Sequence, residues 1–471
     1  MRRWLPLLAL AAGCVGPPAA DPRASQLAHF LARATLPLAR SRPHQLRLRF
    51  DEMARTPFRF LRGSEILFTR DLRDPTLPFA RTALPPVEPI LLQGDAHLEN
   101  IGTFLGPRLD LNDFDAAGFG PPWWEVRRAA ASLLVALREQ NPGALDERTA
   151  ARRLARAYAD AIRIEGPTPF DPTQAGAILQ RRLGSAAKDG PARGELGDFT
   201  ELSEGIRKLR RGNTDPSDPR EALLDAPVAV QDGLAGALDR YAGARQGAPW
   251  SAGYLGVKDV ARRCGQGVGS LTAVRYYVLV EGPTAAQEDD VLLQLKEATD
   301  ASLDADLPYG ARQQSAAERS EERQRRLQSS PEADPHLGHT RLLDLPMVVS
   351  TISDHQKTLR VGDLEGRSAG EIEELAANFG SLLGRLHARS VTLGGAYALE
   401  PLRRWLSGQE ERFAEETAVA AQSYADQVIE DHRRFLGLRA ELGPLLGLPQ
   451  GSPSDTPFDP AARAVLDPPC P

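Results

Sequence analysis

The sequence predicts an α+β protein, with a helix-rich lobe and a small antiparallel-sheet lobe. Three observations lead there. Val126, Ala129, Ala130, Leu133, Leu134 and Leu137 recur at helical spacing, as do Ile372, Leu375, Phe379, Leu382, Leu383 and Leu386. Residues 273–280, 291–296 and 346–352 are rich in β-branched, aromatic and aliphatic side chains and are separated by turn residues, so 251–356 reads as strands. Between these regions in character, a short apolar run at 89–92 leads into Gln93-Gly94-Asp95-Ala96-His97-Leu98-Glu99-Asn100, and then Leu111-Asn112-Asp113-Phe114-Asp115. That is a strand, a polar loop, and a second strand ending in acid.

The chain begins with Arg2 and Arg3, then an apolar run ending at Gly13-Cys14. The run is too short to span a bilayer and has the form of an export signal. It resembles a bacterial lipoprotein signal over residues 1–14, with Cys14 as the lipidated residue, although Ala11 stands where Leu is usual. Residues 15–24 then form a tether. The expected location is the cell envelope, lipid-anchored, with no other membrane contact. Residues 25–182 form the helical lobe carrying the acidic loops. Within 25–88 the helices are punctuated by Pro43, Pro57, Pro75 and Pro78. Residues 183–250, rich in Gly, Pro, Arg and Asp, read as a connecting segment. The sheet lobe covers 251–356 and a helical part 357–445. The proline-bearing stretch 446–471 reads as a disordered tail. Cys264 and Cys470 lie in a glycine loop and in that tail; they could form a disulfide in an oxidising compartment, but two free thiols are the favoured expectation. The formal charge of −6 does not favour nucleic acid as a partner.

The chemistry follows from residue types and spacing. Asp95 and Asn100 stand five apart, the Asp-x4-Asn spacing of a kinase catalytic loop, and Asp113 opens a second acidic motif. Phosphoryl transfer needs one carboxylate to orient the nucleophile, and an Asp and an Asn to hold Mg²⁺ on the phosphates. Asp95 is thus the candidate base, Asn100 and Asp113 the candidate metal ligands. A glycine loop and a lysine should accompany them. Gly265, Gly267 and Gly269 supply the loop, and Lys296 ends the second strand after it. His97 is expected to fix the loop by hydrogen bonding. It could instead join Asp95, Glu99, Asp113 and Asp115 around a transition metal for hydrolysis. Arg62 and Asp115 are supporting candidates.

Several runs together resemble the bacterial family designated DUF2252. They are Thr56-Pro57-Phe58-Arg59-Phe60-Leu61-Arg62-Gly63, Gly94 to Gly102, Asp110 to Asp115, Gly267-Val268-Gly269-Ser270, Gln294 to Ala298, and Tyr424-Ala425-Asp426-Gln427 with Asp431. More distantly, the motifs look like those of aminoglycoside phosphotransferases and other protein kinase-like folds. There Gln93 stands where the first His of a His-Gly-Asp-x-His-x-x-Asn loop would be. Arg385-Leu386-His387-Ala388 resembles the end of the helix that precedes the loop in those enzymes, yet follows it here. The resemblance therefore implies a circularly permuted kinase-like fold. It also implies Mg²⁺ with ATP or another nucleotide, a small-molecule substrate, and a glutamate that holds Lys296: Glu322, or Glu318 one turn earlier. Export to a compartment poor in ATP favours an unusual donor, or a non-catalytic envelope binding module that keeps the fold.

Overall fold

The computed structural model describes residues 21–450 and Cys470, except 105, 141–145, 189–194, 217, 219, 246–249, 251–252, 307–313, 331–333, 354 and 393–398. Cys14 lies outside the described residues. Among those described, no helix is long and apolar enough to cross a membrane.

Four helices open the described part of the chain: Pro22–Ser41, Pro43–Met53, Pro57–Gly63 and Glu65–Leu72. Pro22, Pro43 and Pro57 each sit in the first turn, where a missing N–H costs nothing. The tether ends earlier than expected. Asp21 caps the first helix by accepting from the backbone N–H of Arg23 and Ala24, and Arg23 pairs with the buried Asp71 and Asp431. Strand β1 (Ile90–Leu92) pairs antiparallel with β4 (Gly118–Gly120), and β2 (Ile101–Phe104) with β3 (Gly106–Leu111). Helix Pro122–Gln140 is buried on nearly every side because other helices surround it: Glu147–Asp160, Ala369–Thr392 and Glu410–Leu442 pack about it as one core.

The second lobe is built on an antiparallel sheet. A separate hairpin, β5 (Thr200–Ser203) and β6 (Ile206–Leu209), precedes it. The sheet contains β7 (Gly212–Asn213), β8 (Ala222–Asp225), β9 (Val257–Arg263), β10 (Arg275–Val280), β11 (Val291–Glu297), β12 (Gly338–Leu342) and β13 (Leu345–Thr351), in the order β12-β13-β11-β10-β9-β8-β7. A last short strand, β14 (Lys357–Thr358), returns to β2. The segment 183–250 is not merely a connection. It supplies β7 and β8 and covers both sheet faces. Val230, Leu234 and Tyr241 of helix Val228–Ala244 pack on Tyr276, Val278 and Val280, while Leu196 and Phe199 pack on Tyr277 and Leu279. That is why β10 is buried along its whole length.

The lobes are joined at a buried ion pair. Arg42, between the first two helices, donates to both carboxylate oxygens of Glu297 at 2.6 and 2.9 Å and to the Thr272 carbonyl at 2.6 Å. The tail also departs from expectation. Leu445 and Leu446 are buried in the helical core. Cys470 forms a disulfide with Cys264, and its carbonyl accepts a 2.7 Å hydrogen bond from His44. Two thiols expected to be free are therefore paired. Their separation of 206 residues gave the sequence no sign of proximity.

Candidate functional site

The site lies where β1, the β2–β3 hairpin and β11 meet. Gly94 turns the chain out of β1 with φ of 90°, and a Cβ there would lie 2.0 Å from the Ala116 carbonyl oxygen. Asp95 follows. Gln93 fastens both acidic loops: its carbonyl oxygen accepts from the Asp95 N–H at 3.0 Å, and its amide donates to the carbonyls of Asn112 and Asp113. Glu125, at the start of the central helix, accepts from the backbone N–H of Gln93 and Gly94 at 3.0 and 2.5 Å. It also bonds His387 at 2.7 Å. The helix carrying Arg385-Leu386-His387-Ala388 is thus packed beside β1 and the loop, although 262 residues separate His387 from Glu125.

Asp95 faces Arg128, whose Nε donates to Oδ1 at 2.7 Å and whose Nη2 bonds the same oxygen. Arg128 is 1% exposed and Asp95 18%. Burial pushes the Asp95 carboxyl up to about 7, against the pull of Arg128 and with Glu65 adding to the rise. His97 has Nε2 3.8 Å from Asp95 Oδ2, while its Nδ1 has no partner. Burial, with Arg62 and Arg128 nearby, holds its imidazole well below the usual range, so the ring is neutral. Asn100 donates to the Asp95 carbonyl at 2.8 Å, and its own carbonyl accepts from Asn112 N–H at 2.9 Å. The hairpin thereby sets Asn100 one residue from Asp113.

Asp113 adopts φ of 57°, a left-handed conformation that a short polar side chain tolerates and that concentrates at functional sites. Its carboxylate meets the Lys296 ammonium at 3.2 Å across 183 residues of sequence. Asp115 bonds the same ammonium. Burial opposes charge on all of these groups. Lys296 nevertheless keeps Asp113 below the usual carboxylate range, while burial and the neighbouring Asp113 leave Asp115 above it. The two carboxylates in turn hold the Lys296 proton more tightly than usual. Each carboxylate keeps one oxygen with no protein donor among the described residues, although the Arg275 guanidinium also acts on both. That fits a divalent cation held by Asp113, with Asn100 and Asp115 beside it. Among the described residues there is no group of three or more His, Cys, Asp or Glu placed to hold a metal by themselves, so such an ion needs ligands from a substrate, as Mg²⁺ on phosphates has.

The glycine loop joins β9 to β10. Gly265 and Gly267 have φ of 84° and 75°, and a Cβ on Gly265 would lie 2.5 Å from the Arg220 carbonyl oxygen. Val268, at the loop tip, lies against Gly63. Gly269 and Ser270 line a cavity of about 680 Å³ together with Arg62, Asp95, Asp113 and Asp115. Gly265 and Gly267 instead line a second polar cavity of about 530 Å³, which also contains Arg62 and Glu99. Arg62 bonds Glu99 at 2.5 Å. Glu322 is not at the site. It is 53% exposed and pairs with Arg326 one turn on. Glu318 closes a capping box with Ser315. Lys296 is held by Asp113 and Asp115 instead, so neither glutamate fills the expected role.

Sequence reasoning missed Arg128, Glu125, Arg49 and Arg275. The first two had a signal: Glu125 and Arg128 are charges inside an apolar helical run, one turn apart, and each is buried against the loop. Arg275 pairs across the ladder with Lys296 and donates to Gln266 and Ser270 of the glycine loop at 2.5 and 3.3 Å. A strand arginine gives no such sign.

Fold and site define a two-lobed α+β protein with a carboxylate- and arginine-lined cleft between a helical body and an antiparallel sheet. The chain belongs to the family described as an uncharacterized protein conserved in bacteria (DUF2252), which it matches over residues 40–438. No curated protein and no solved structure matches it.

Proposed function

We propose that this chain is a permuted kinase-like phosphotransferase that uses Mg²⁺ and a nucleotide, ATP or another, to phosphorylate a small molecule. The observation that carries the reading is the 3.2 Å meeting of Lys296 with Asp113, in the cleft that also holds Asp95. The strand arrangement supports it. The glycine loop joins two neighbouring strands, the next strand carries Lys296, and helix Ala316–Leu327 follows before β12 and β13. A kinase places its glycine loop, its β3 lysine and its αC helix in that order. The helix bearing His387 packs beside β1, as a permuted order requires. Asp115 stands in for the glutamate such a lobe normally sets on its lysine.

When bound, Mg²⁺–nucleotide would supply the phosphoryl group and neutralise its charge. Asp113 and Asn100 would hold the metal, and Lys296 with Gly269 and Ser270 would hold the phosphates. Asp95 accepts the proton of an acceptor hydroxyl as that oxygen bonds the terminal phosphorus and the bond to the nucleoside diphosphate breaks. Arg128 fixes the direction of the Asp95 carboxylate.

The pH dependence tests this assignment. A base must be deprotonated, and Asp95 holds its proton up to about pH 7. Nucleotide turnover, with water standing in for the acceptor, should therefore rise with pH through an apparent pKa of about 7 and level off above it. A kcat/KM profile that is flat through neutrality would remove Asp95 from the role.

A further inference from the structure

Four arginines of the described residues line the larger cavity: Arg42, Arg49, Arg62 and Arg319. Three of them face carboxylates. Arg42 is paired with Glu297, Arg62 with Glu99, and Arg319 with Asp300 and Asp304. Arg49 is different. Among the described residues its one hydrogen bond is from Nη2 to the Gly63 carbonyl at 2.7 Å, its Nε is buried without a partner, and no carboxylate forms an ion pair with it. The Nε of Arg62, in the same wall, also lacks a partner. A guanidinium kept in a cleft without an ion-pair partner costs free energy unless something anionic completes it. Its planar fork suits an oxyanion, a carboxylate or a phosphate.

The place of Arg49 says which part of a reaction it would serve. The carboxylates that act on it most strongly are Glu65 and Asp95, whereas those that act on Lys296 are Asp113 and Asp115. The helix turn Leu61–Gly63 lies between two arginines: Arg128 bonds the Leu61 carbonyl and Asp95, and Arg49 bonds the Gly63 carbonyl. Arg49 thus belongs with Asp95 rather than with Lys296. We propose that Arg49, with Arg62, binds an oxyanion on the acceptor, so that the acceptor is a hydroxyl compound carrying a carboxylate or phosphate rather than a polycation. This rests on the phosphotransferase reading, which sets Asp95 against the acceptor.

The probe is inorganic phosphate, titrated calorimetrically into the protein alone and again at saturating Mg²⁺ with a non-hydrolysable ATP analogue. Phosphate should bind in both cases with affinity unchanged within about twofold. Arg49→Gln should weaken it at least about tenfold and Arg49→Lys by less, because lysine keeps the charge but not the fork. Neither variant should change affinity for the analogue. Far-ultraviolet dichroism and the unfolding temperature of Arg49→Lys confirm that the fold persists. If the analogue displaces phosphate and Arg49→Gln weakens the analogue, Arg49 is a ligand of the donor and the proposal is overturned. Absence of phosphate binding by the parent protein, or binding indifferent to both variants, overturns it as well. Phosphate binding that depends on Arg49 in a protein with no affinity for nucleotide keeps the oxyanion site and removes the phosphotransferase reading.

Discussion

Asp95→Asn should lower phosphoryl transfer by about 10³-fold while leaving Mg²⁺–nucleotide affinity within about twofold of the parent. Asparagine has nearly the same volume, and its carbonyl oxygen still accepts from Arg128, so the pocket persists. It cannot accept the acceptor's proton. Asp95→Ala is a poorer test. Arg128 is 1% exposed, and alanine would leave its charge unanswered. Breaking a buried pair from one side costs about 3–5 kcal/mol, so lost activity would be mixed with lost fold. Steady-state rates and calorimetric nucleotide affinity for Asp95→Asn separate the two effects. Affinity falling as steeply as rate would mean that Asp95 holds the donor and is not the base.

The second large effect is on stability. Glu297→Ala should destabilise the protein by about 3–5 kcal/mol, read by denaturant unfolding. Glu297 accepts from Arg42 with both oxygens and from the Val274 N–H at 2.9 Å, and both partners of the ion pair are buried. Alanine would strand Arg42 between the lobes. Glu297→Gln, which keeps the volume and one acceptor, should cost less. The residue directly follows Lys296 on β11, so this joint also sets where the ammonium meets Asp113. A loss below about 1 kcal/mol for Glu297→Ala would mean that the joint is not a stabilising one.

Much of this site was legible because it is written in contiguous stretches. The run from Gln93 to Asn100 carries its turn glycine, its acid and its carboxamide within one loop, and the leucine-rich run before Lys296 marks its strand. The α+β character followed from periodicity. What was not legible depends on meetings between distant segments. Glu322 was assigned by resemblance, but helix Ala316–Leu327 turns Arg319 and Arg323 inward to Asp304 and leaves Glu322 outside. The Cys264–Cys470 bond and the seating of Arg23 between Asp71 and Asp431 are of the same kind. The strands in 183–250 were hidden for a different reason. β7 and β8 are short, and helix Val228–Ala244 is rich in Ala and Gly, so its apolar face is thin in sequence though it covers a sheet.

The most direct test is a calorimetric titration of Mg²⁺–ATP, and of other nucleoside triphosphates, into the parent protein, Asp113→Ala and Lys296→Met. The account predicts nucleotide binding that requires Mg²⁺ and is weakened by about tenfold or more in each variant, because one loses a carboxylate from the ion and the other the charge on the phosphates. Nucleotide binding that is absent from the parent protein, or that is indifferent to both substitutions, would contradict it.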